Sequence, residues 1–221
     1  MATIVIAGAN RGIGLELTKQ YAADGHEVIR GMRGVDQADP PFGTTIALDV
    51  ASDEGVALFA AGLGDKPVDL LIANAGVIGP ERQSATDMDF DGFLSALDVN
   101  VLGPLRVVQA MLPNLRKAKG AKIAVVSSLM GSMASAKSGH VAYRASKAAV
   151  NKVVQCLATD LASEGIAVAS LHPGWVRTDM GGAGADIDVQ TSAAGIRAVL
   201  DKLGVATTGR FWAYDGKQLD W

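Results

Sequence analysis

Short apolar stretches, rich in β-branched residues, recur along the chain and alternate with longer stretches of helical spacing. Several of them are apolar at consecutive positions, which is typical of strands buried on both faces of a sheet. The stretches with this character cover residues 3–7, 28–32, 45–48, 68–73, 122–126, 166–171 and 209–213. The pattern therefore predicts about seven strands.

Apolar residues at helical spacing fill the stretches between the predicted strands. One helix is predicted to begin near Ile13, and another to cover residues 143–162. This alternation indicates a parallel sheet with helices on both faces, which right-handed crossovers turn into a doubly wound α/β fold. No linker-like segment divides the chain, so residues 1–221 are predicted to form a single domain.

Composition narrows the class of protein. Hydrophobic residues make up 49% of the 221 positions, and the formal net charge is −3. These values exclude a disordered chain, and they argue against a nucleic-acid or anionic-membrane partner, which clustered Lys and Arg would favour. The apolar runs are too short for a membrane span, and the N-terminus reads as a strand rather than a signal peptide.

Cysteine and histidine usage excludes two further kinds of site. The lone Cys156 rules out an intrachain disulfide framework and favours a reducing compartment, so we expect a cytoplasmic protein. The three histidines, His26, His140 and His172, are far apart in the sequence, so we expect no metal site.

Candidate ligand-binding residues follow the predicted strands. In a doubly wound sheet, ligands bind beyond the carboxyl ends of the strands. Glycine and small polar residues are concentrated at those points, in residues 8–14, Asp49-Val50, Asn74-Ala75-Gly76, Ser127-Ser128 and Pro173-Gly174. The composition of these ends is typical of a binding site.

The first of these ends is a glycine turn with Gly8, Gly12 and Gly14 between a strand and a helix. Glycine lets the backbone turn tightly and approach a pyrophosphate, and the helix N-terminus offers free N–H groups with a partial positive charge. The spacing is G-x-x-x-G-x-G rather than G-x-G-x-x-G, and an ordinary glycine turn is the alternative.

Tyr143 and Lys147 lie four residues apart and therefore share one face of a helix. A free phenol has a pKa near 10, but a fixed ammonium beside it favours the phenolate and is expected to lower that pKa. The pair is a candidate acid–base catalyst, and a bland surface pair is the alternative.

Ser128 and Asn100 are further candidates. A hydroxyl after the fifth strand can polarise a substrate carbonyl, although Ser127 competes for this role and a strand-end cap is the alternative. Asn100 lies in a helical stretch where Asn is a mediocre helix former. It indicates a polar partner or an ordered water, with a solvent-facing side chain as the alternative.

Together these motifs resemble the short-chain dehydrogenase/reductase family over nearly the whole chain, from Thr3 onward. The family's glycine motif matches residues 8–14, its Tyr-x-x-x-Lys motif matches Tyr143 to Lys147, and its Pro-Gly matches Pro173-Gly174. Its Asn-Asn-Ala-Gly motif appears as Ala73-Asn74-Ala75-Gly76, with the first Asn replaced. Segments 143–149, 172–182 and 214–217 look like the branch of small C-factor and sniffer-type carbonyl reductases.

The resemblance implies a Rossmann-type sheet of order 3-2-1-4-5-6-7 and a hydride transfer between a nicotinamide cofactor and a carbonyl or alcohol. Tyr143 would be the proton donor, Lys147 would tune it and bind the nicotinamide ribose, Ser128 would orient the carbonyl, and Asn100 would hold a water in a proton relay. The Ser-x-x-Gly pattern that ends at Gly131 favours Ser128 over Ser127. The predicted cofactor-binding residues are Gly8, Asn10, Arg11, Gly12, Ile13, Gly14, Arg33, Asp49, Val50, Asn74, Ala75, Gly76, Tyr143, Lys147, Pro173, Gly174, Val176 and Thr178.

The cofactor is predicted to be NADP(H), with NAD(H) as the runner-up. A 2′-phosphate needs positive charge, preferably a guanidinium, whereas a free 2′-hydroxyl usually meets an acidic residue. Arg11 and Arg33 match basic positions that mark NADP-preferring family members, while Arg30 is expected to be an ordinary surface charge. Asp36 argues for NAD(H), but two guanidiniums outweigh one carboxylate.

An enzyme is favoured over a non-catalytic nucleotide-binding sensor or signalling protein, because a sensor has no need of the catalytic set. An epimerase or dehydratase of the extended family is disfavoured by length.

The substrate pocket is expected to be lined by residues 130–140, Trp175 and residues 180–188. The stretch from Ser128 to Tyr143 is slightly longer than the family norm, and its extra residues are expected within 132–139. His140 either contacts the substrate, caps a helix or faces solvent. By resemblance, residues 99–119 and 143–164 pair in a homodimer or homotetramer.

Overall fold

One sheet organises this computed structural model, which describes residues 1–34, 42–134 and 136–221. Its strands are Thr3–Ala7 (β1), Glu27–Met32 (β2), Thr44–Ala47 (β3), Leu70–Ala73 (β4), Lys122–Val126 (β5), Ala167–His172 (β6), Arg210–Ala213 (β7) and Gln218–Leu219 (β8). They lie in the order β3-β2-β1-β4-β5-β6-β7-β8, and β1 to β7 are parallel. The Rossmann-type fold and the order of the first seven strands are confirmed.

The eighth strand corrects the predicted number of about seven. It is two residues long and pairs antiparallel with β7 after a tight turn, in which the Ala213 N–H donates to the Lys217 carbonyl at 2.8 Å. Beyond it, the Trp221 ring stacks on Phe211 of β7, with ring centroids 5.6 Å apart. A strand this short carries no periodicity, so the sequence pattern could not reveal it.

Six α-helices of the described residues connect the strands. They are Gly12–Ala23 (α1), Asp53–Leu63 (α2), Phe90–Leu97 (α3), Gly103–Leu115 (α4), Val141–Leu161 (α5) and Val189–Lys202 (α6). A π-helical turn, Asp98–Leu102, joins α3 to α4, and a 3₁₀ turn, Leu129–Gly131, follows β5. The predicted helix near Ile13 and the one over residues 143–162 are confirmed, with boundaries within two residues.

The central strands β1, β4 and β5 are buried on both faces, which explains their apolar sequences. On β4, Leu71 belongs to the core cluster that contains Phe59 of α2 and Met111 of α4. The next residue, Ile72, belongs to the opposite cluster with Leu17 of α1. Both faces of the sheet are therefore covered by helices, and the loops at the carboxyl ends of the strands are exposed at one edge of it.

The register of the sheet brings four of these loops together. Ala7 at the end of β1 pairs with Ala73 at the end of β4, and Ala73 pairs with Val125 near the end of β5. Val126 then pairs with Leu171 of β6. Because these strands are parallel, the chain segments that follow them leave the same edge side by side.

Arg30 corrects a further expectation, because it is not a surface charge. Arg30 lies on β2 and is only 1% exposed. Its guanidinium donates a hydrogen bond to the Thr45 hydroxyl on β3. Since Arg30 lies within the sheet, it does not belong with the exposed arginines that could meet a cofactor phosphate.

Within the three described ranges, no helix combines the length and apolarity that crossing a bilayer requires.

Candidate active site

The turn after β1 has no room for side chains at two of its glycines. A Cβ on Gly14 would lie 2.1 Å from the Gly8 carbonyl oxygen, and a Cβ on Gly8 would lie 2.7 Å from the Ala75 Cα. Gly8 and Gly12 also have left-handed φ angles of 87° and 54°. The turn leads straight into α1, whose N-cap residue Arg11 makes no side-chain capping bond among the described residues. The first N–H groups of α1 therefore suit an anionic ligand.

The loop after β4 is tied to this turn. The Asn74 side-chain amide donates to the Gly8 carbonyl at 2.7 Å, and the backbone N–H groups of Asn74 and Ala75 both donate to the Ala7 carbonyl at 2.9 Å. Gly76 comes next, and its Cβ would lie 3.1 Å from the Asn100 Oδ1 and 3.5 Å from the Lys147 Nζ. The two predicted motifs thus form one continuous surface.

Asn100 is buried in the π-helical turn rather than in a regular α-helix. Its Oδ1 accepts the Val77 N–H and its Nδ2 donates to the Val77 carbonyl, both at 2.8 Å. Nδ2 also donates to the Ser146 hydroxyl of α5 at 2.9 Å. The expected polar partners are therefore present, and they link the loop after β4 to the catalytic helix candidate. A π turn inside a helix is a frequent feature of functional sites.

Lys147 is buried beneath Tyr143. Its ammonium donates to the Val126 carbonyl at the end of β5 at 2.9 Å, and its Nζ lies 5.7 Å from the centroid of the Tyr143 ring. Burial lowers the pKa of Lys147 from 10.5 to about 8, because the interior disfavours its charged form.

The direction of the Tyr143 pKa differs from the expectation. Burial raises the pKa of the phenol, while a hydrogen bond with the Ser128 side chain acts to lower it. Proximity to Lys147 does not overcome burial, because the phenol is itself shielded from water. The sequence revealed the pairing but not the balance between burial and charge.

The two serines after β5 face different partners. The Ser127 hydroxyl, 1% exposed, donates to the Lys147 backbone carbonyl at 3.4 Å, so it is occupied in packing against α5. Ser128 contacts the Tyr143 phenol and accepts the Met130 N–H at 3.1 Å. Gly131 closes the turn where a Cβ would lie 2.6 Å from the Lys147 backbone carbonyl carbon. The geometry therefore favours Ser128 as the substrate-facing hydroxyl.

The remaining predicted cofactor residues surround the same edge. Gly174, with a φ of 87°, has no room for a Cβ beside Ile187, and Val176 is buried and forms an isolated bridge with Ile187. Thr178 contacts Gly12, because a Cβ on that glycine would lie 3.2 Å from the Thr178 methyl. The structure also places Asn10, Asp49, Val50 and Pro173 in the loops at this edge, and Ile13 in the first turn of α1.

The two arginines that the sequence predicts to select NADP(H), Arg11 and Arg33, are exposed. Arg33 follows β2 directly and faces solvent. Arg11 is exposed and forms an ion pair with Asp179 through one guanidinium nitrogen, which leaves its other N–H donors available to an anion. Asp36, the residue that argues for NAD(H), lies outside the described residues.

Two residues of this region were missed by sequence reasoning. Gln83 is buried in the loop before α3 and accepts the Tyr143 N–H through its side chain. His172 at the end of β6 accepts the Leu129 N–H at 3.2 Å through Nδ1, and burial lowers its pKa to about 4. Both contacts join residues far apart in sequence, so no local motif reports them. His140 is exposed and makes no capping bond, which leaves it facing solvent.

The arrangement can hold an extended anionic ligand along the glycine turn and present a buried hydroxyl pair and an ammonium at one end of it. Among the residues that the structure describes, no group of three His, Cys, Asp or Glu side chains is placed to hold a metal ion.

Comparisons with a family model, with sequences and with solved structures all point to one protein family. The family model for "short chain dehydrogenase" matches residues 2–186. The C-signal protein of Myxococcus xanthus is 44% identical over 164 residues, which cover 74% of this chain and 98% of that protein. Two solved structures match the full chain with a TM-score of 0.92: NADPH-bound carbonyl reductase from chicken fatty liver, at 29% identity and 99% coverage of that chain, and carbonyl reductase Sniffer of D. melanogaster, at 32% identity and 100% coverage.

Burial of Lys147 predicts a pH-dependent stability in the cofactor-free protein. Between pH values of about 8 and 10.5 the unfolded chain binds a proton at this site that the folded chain does not, so folding becomes more favourable as the pH rises through this window. Relative to Lys147→Met, the free energy of unfolding of the original protein should rise by about 3 kcal/mol across it. Chemical denaturation at several pH values measures the difference, and parallel curves for the two proteins would contradict it.

Proposed function

The chain belongs to the short-chain dehydrogenase/reductase family, and with it to the NAD(P)-dependent oxidoreductases; from this premise we propose that it transfers a hydride between NADP(H) and a carbonyl or alcohol substrate. Its relatives include C-signal and sniffer-type carbonyl reductases, as the sequence predicted. The observation that carries the proposal is the meeting of Ser128, Tyr143 and Lys147 beside a glycine turn that leaves no room for side chains.

In the proposed reduction, Tyr143 gives its phenolic proton to the carbonyl oxygen as the carbonyl carbon is reduced. The nicotinamide supplies the hydride when it is bound. Ser128 donates a hydrogen bond to the same oxygen, which stabilises its developing negative charge. In the reverse direction, Tyr143 removes the proton of the alcohol.

Lys147 is proposed to stabilise the Tyr143 phenolate and to bind the nicotinamide ribose. Its Nζ would lie 3.5 Å from a Cβ on Gly76, so the ammonium lies beside the loop after β4. Asn100 is proposed to hold a relay water near Lys147. Its side chain is already committed to Val77 and Ser146, which fixes its position in the π turn.

The glycine turn is proposed to hold the pyrophosphate, and the predicted cofactor residues from Gly8 to Thr178 to line the remaining length of NADP(H). Residues 1–221 then act as one domain that binds the cofactor and carries the catalytic groups. An NADPH-bound neighbour of the same fold supports the choice of cofactor.

A signalling protein without turnover is the second candidate, because the relative with 44% identity is named C-signal. A panel of aldehydes, ketones and diketones, followed by loss of NADPH absorbance, separates the two functions. Turnover of a panel member supports the enzyme, whereas NADPH binding without turnover across the panel favours the signalling protein.

Tyr143→Phe keeps the ring but removes the ionisable proton. We expect turnover to fall about 10²–10⁴-fold, the usual contribution of general acid–base catalysis, with little change in NADPH affinity. The matched control is Tyr21→Phe. It removes a buried hydroxyl from the last turns of α1, where the Tyr21 ring packs against Arg197 of α6. More than half of the original turnover in Tyr143→Phe would reject the assignment. Lys147→Met should impair both turnover and cofactor binding.

Arg33→Asp tests the choice of cofactor, because it places a carboxylate where the 2′-phosphate of NADP(H) is proposed to lie. We expect the original protein to prefer NADPH in kcat/KM and the variant to lose or reverse that preference. Arg210→Asp, on the distant strand β7, makes the same change in net charge and should leave the preference intact. Equal or better kcat/KM with NADH in the original protein would overturn the proposal.

A homodimer or homotetramer is proposed to pair through residues 99–119 and 143–164, and the neighbouring α3 adds exposed apolar surface. Phe90 and Leu94 are 73% and 64% exposed, while Val153 and Leu157 of α5 are only partly covered. Val150 and Val154 cover the sheet, so only part of the α5 stripe is free to pair. Sedimentation at micromolar concentration should give a species larger than 22.7 kDa, and a monomer alone would reject the proposal.

A further inference from the structure

The first turn of α5 needs outside partners for its N–H groups. The first N–H groups of any helix lack acceptors within the helix, and a side chain at the N-cap position usually supplies one. His140 occupies that position here with a left-handed φ of 51°, and its side chain makes no capping bond. Tyr143 is the third residue of this helix, so its position depends on how the turn is held.

Gln83 supplies two of the missing acceptors from another part of the chain. Its backbone carbonyl accepts the Val141 N–H at 2.8 Å. Its side-chain Oε1 accepts the N–H of Tyr143 itself at 3.1 Å. One residue thus caps the helix twice, at its first and third positions.

The other end of the Gln83 amide is bound to the loop that follows β4. Nε2 donates to the Ile78 carbonyl at 3.0 Å and to the Pro80 carbonyl at 2.8 Å. These partners fix the orientation of the amide, because a reversed amide would set its NH₂ against the Tyr143 N–H and its oxygen against two carbonyls. The residue is 6% exposed, so water competes little for these bonds.

The loop to which Gln83 is hydrogen-bonded is part of the candidate active site. It begins after Gly76, and its next residue, Val77, exchanges two hydrogen bonds with Asn100. Gln83 therefore connects the Tyr143 backbone to the same segment that borders Lys147 and the glycine turn.

Three other side-chain caps among the described residues are local. Ser52, Asp89 and Asp188 each accept an N–H three residues ahead in their own helices. The Gln83 side chain accepts an N–H sixty residues ahead, from a helix that is distant in the sequence. A local cap stabilises its helix, whereas a cap of this kind also fixes where the helix starts relative to its neighbours.

We propose that Gln83 is a positioning residue for Tyr143, which it holds in register with the loop after β4 by capping α5 from outside the helix. The proposal rests on the proposed acid–base role of Tyr143. Its chemical consequence is on turnover, because proton transfer requires the phenol to be placed against the carbonyl oxygen, and small misplacements of catalytic groups reduce rates strongly.

The test uses Gln83→Met, which keeps the length of the side chain but can neither accept nor donate these bonds. Steady-state kinetics with NADPH and the best carbonyl of the panel are combined with hydrogen exchange of the Tyr143 amide. The matched control is Asp89→Ala, which removes a cap of α3 in the same loop region.

For Gln83→Met we expect kcat to fall about ten-fold or more, the KM for NADPH to stay within about two-fold, and the Tyr143 amide to exchange faster. Asp89→Ala should speed exchange at the start of α3 and leave kcat unchanged. A Gln83→Met protein with the original kcat, or an equal fall in Asp89→Ala, would overturn the proposal.

If the Gln83→Met protein fails to fold, a second variant carries the test. Gln83→Asn keeps both polar groups and shortens the side chain by one carbon, so it cannot span both partners. The same fall in kcat is expected from it, and the original kcat would reject the positioning role. Failure of the proposed function is recognised separately, since an active Tyr143→Phe protein would remove the role of Tyr143 whatever the exchange of its amide shows.

Discussion

The segments after β1 and β4 approach each other so closely that the backbone itself fills the space between them. The Ala7 carbonyl is shared by two N–H groups of the β4 loop, and the Asn74 amide reaches back to the Gly8 carbonyl at 2.7 Å. A side chain at Gly8 or Gly14 would collide with backbone atoms, for which no rotamer change compensates. This contact sets the floor of the cleft, and the residues around it take their positions from that floor.

A second group of contacts builds on this floor from the helix side. Asn100 connects Val77 to Ser146, and Lys147 connects α5 to the end of β5. These bonds are buried and join segments distant in sequence, so each is worth more than an exposed bond and each costs more to leave unmade. The buried ammonium of Lys147 shows the same balance, since its position is favoured by one carbonyl while its charge is disfavoured by burial.

Much of the fold and of the candidate site was predictable from the sequence, for a physical reason. Strands buried on both faces are mainly apolar, and the glycines that follow them are required by local backbone geometry, so short segments of sequence reveal both features. The pairing of Tyr143 and Lys147 follows from helical spacing alone. In contrast, the burial of Arg30, the raised pKa of Tyr143 and the Gln83 cap depend on neighbours far along the chain. The π turn at Asn100 and the two-residue β8 have no periodicity that a pattern could report.

The segment between Val176 and Ile187 is joined at its base. Besides the isolated bridge, the Arg177 N–H donates to the Ile187 carbonyl at 2.8 Å and the Ile187 N–H donates to the Trp175 carbonyl at 3.2 Å. Because the two ends are already held together, the entropy of closing the segment varies only slowly with its length. Changes of length between Met180 and Ile187 should therefore disturb the sheet and the contact between the β1 and β4 loops little. Divergence among descendants of this chain can accumulate there, altering which molecules enter while the chemistry beneath is kept.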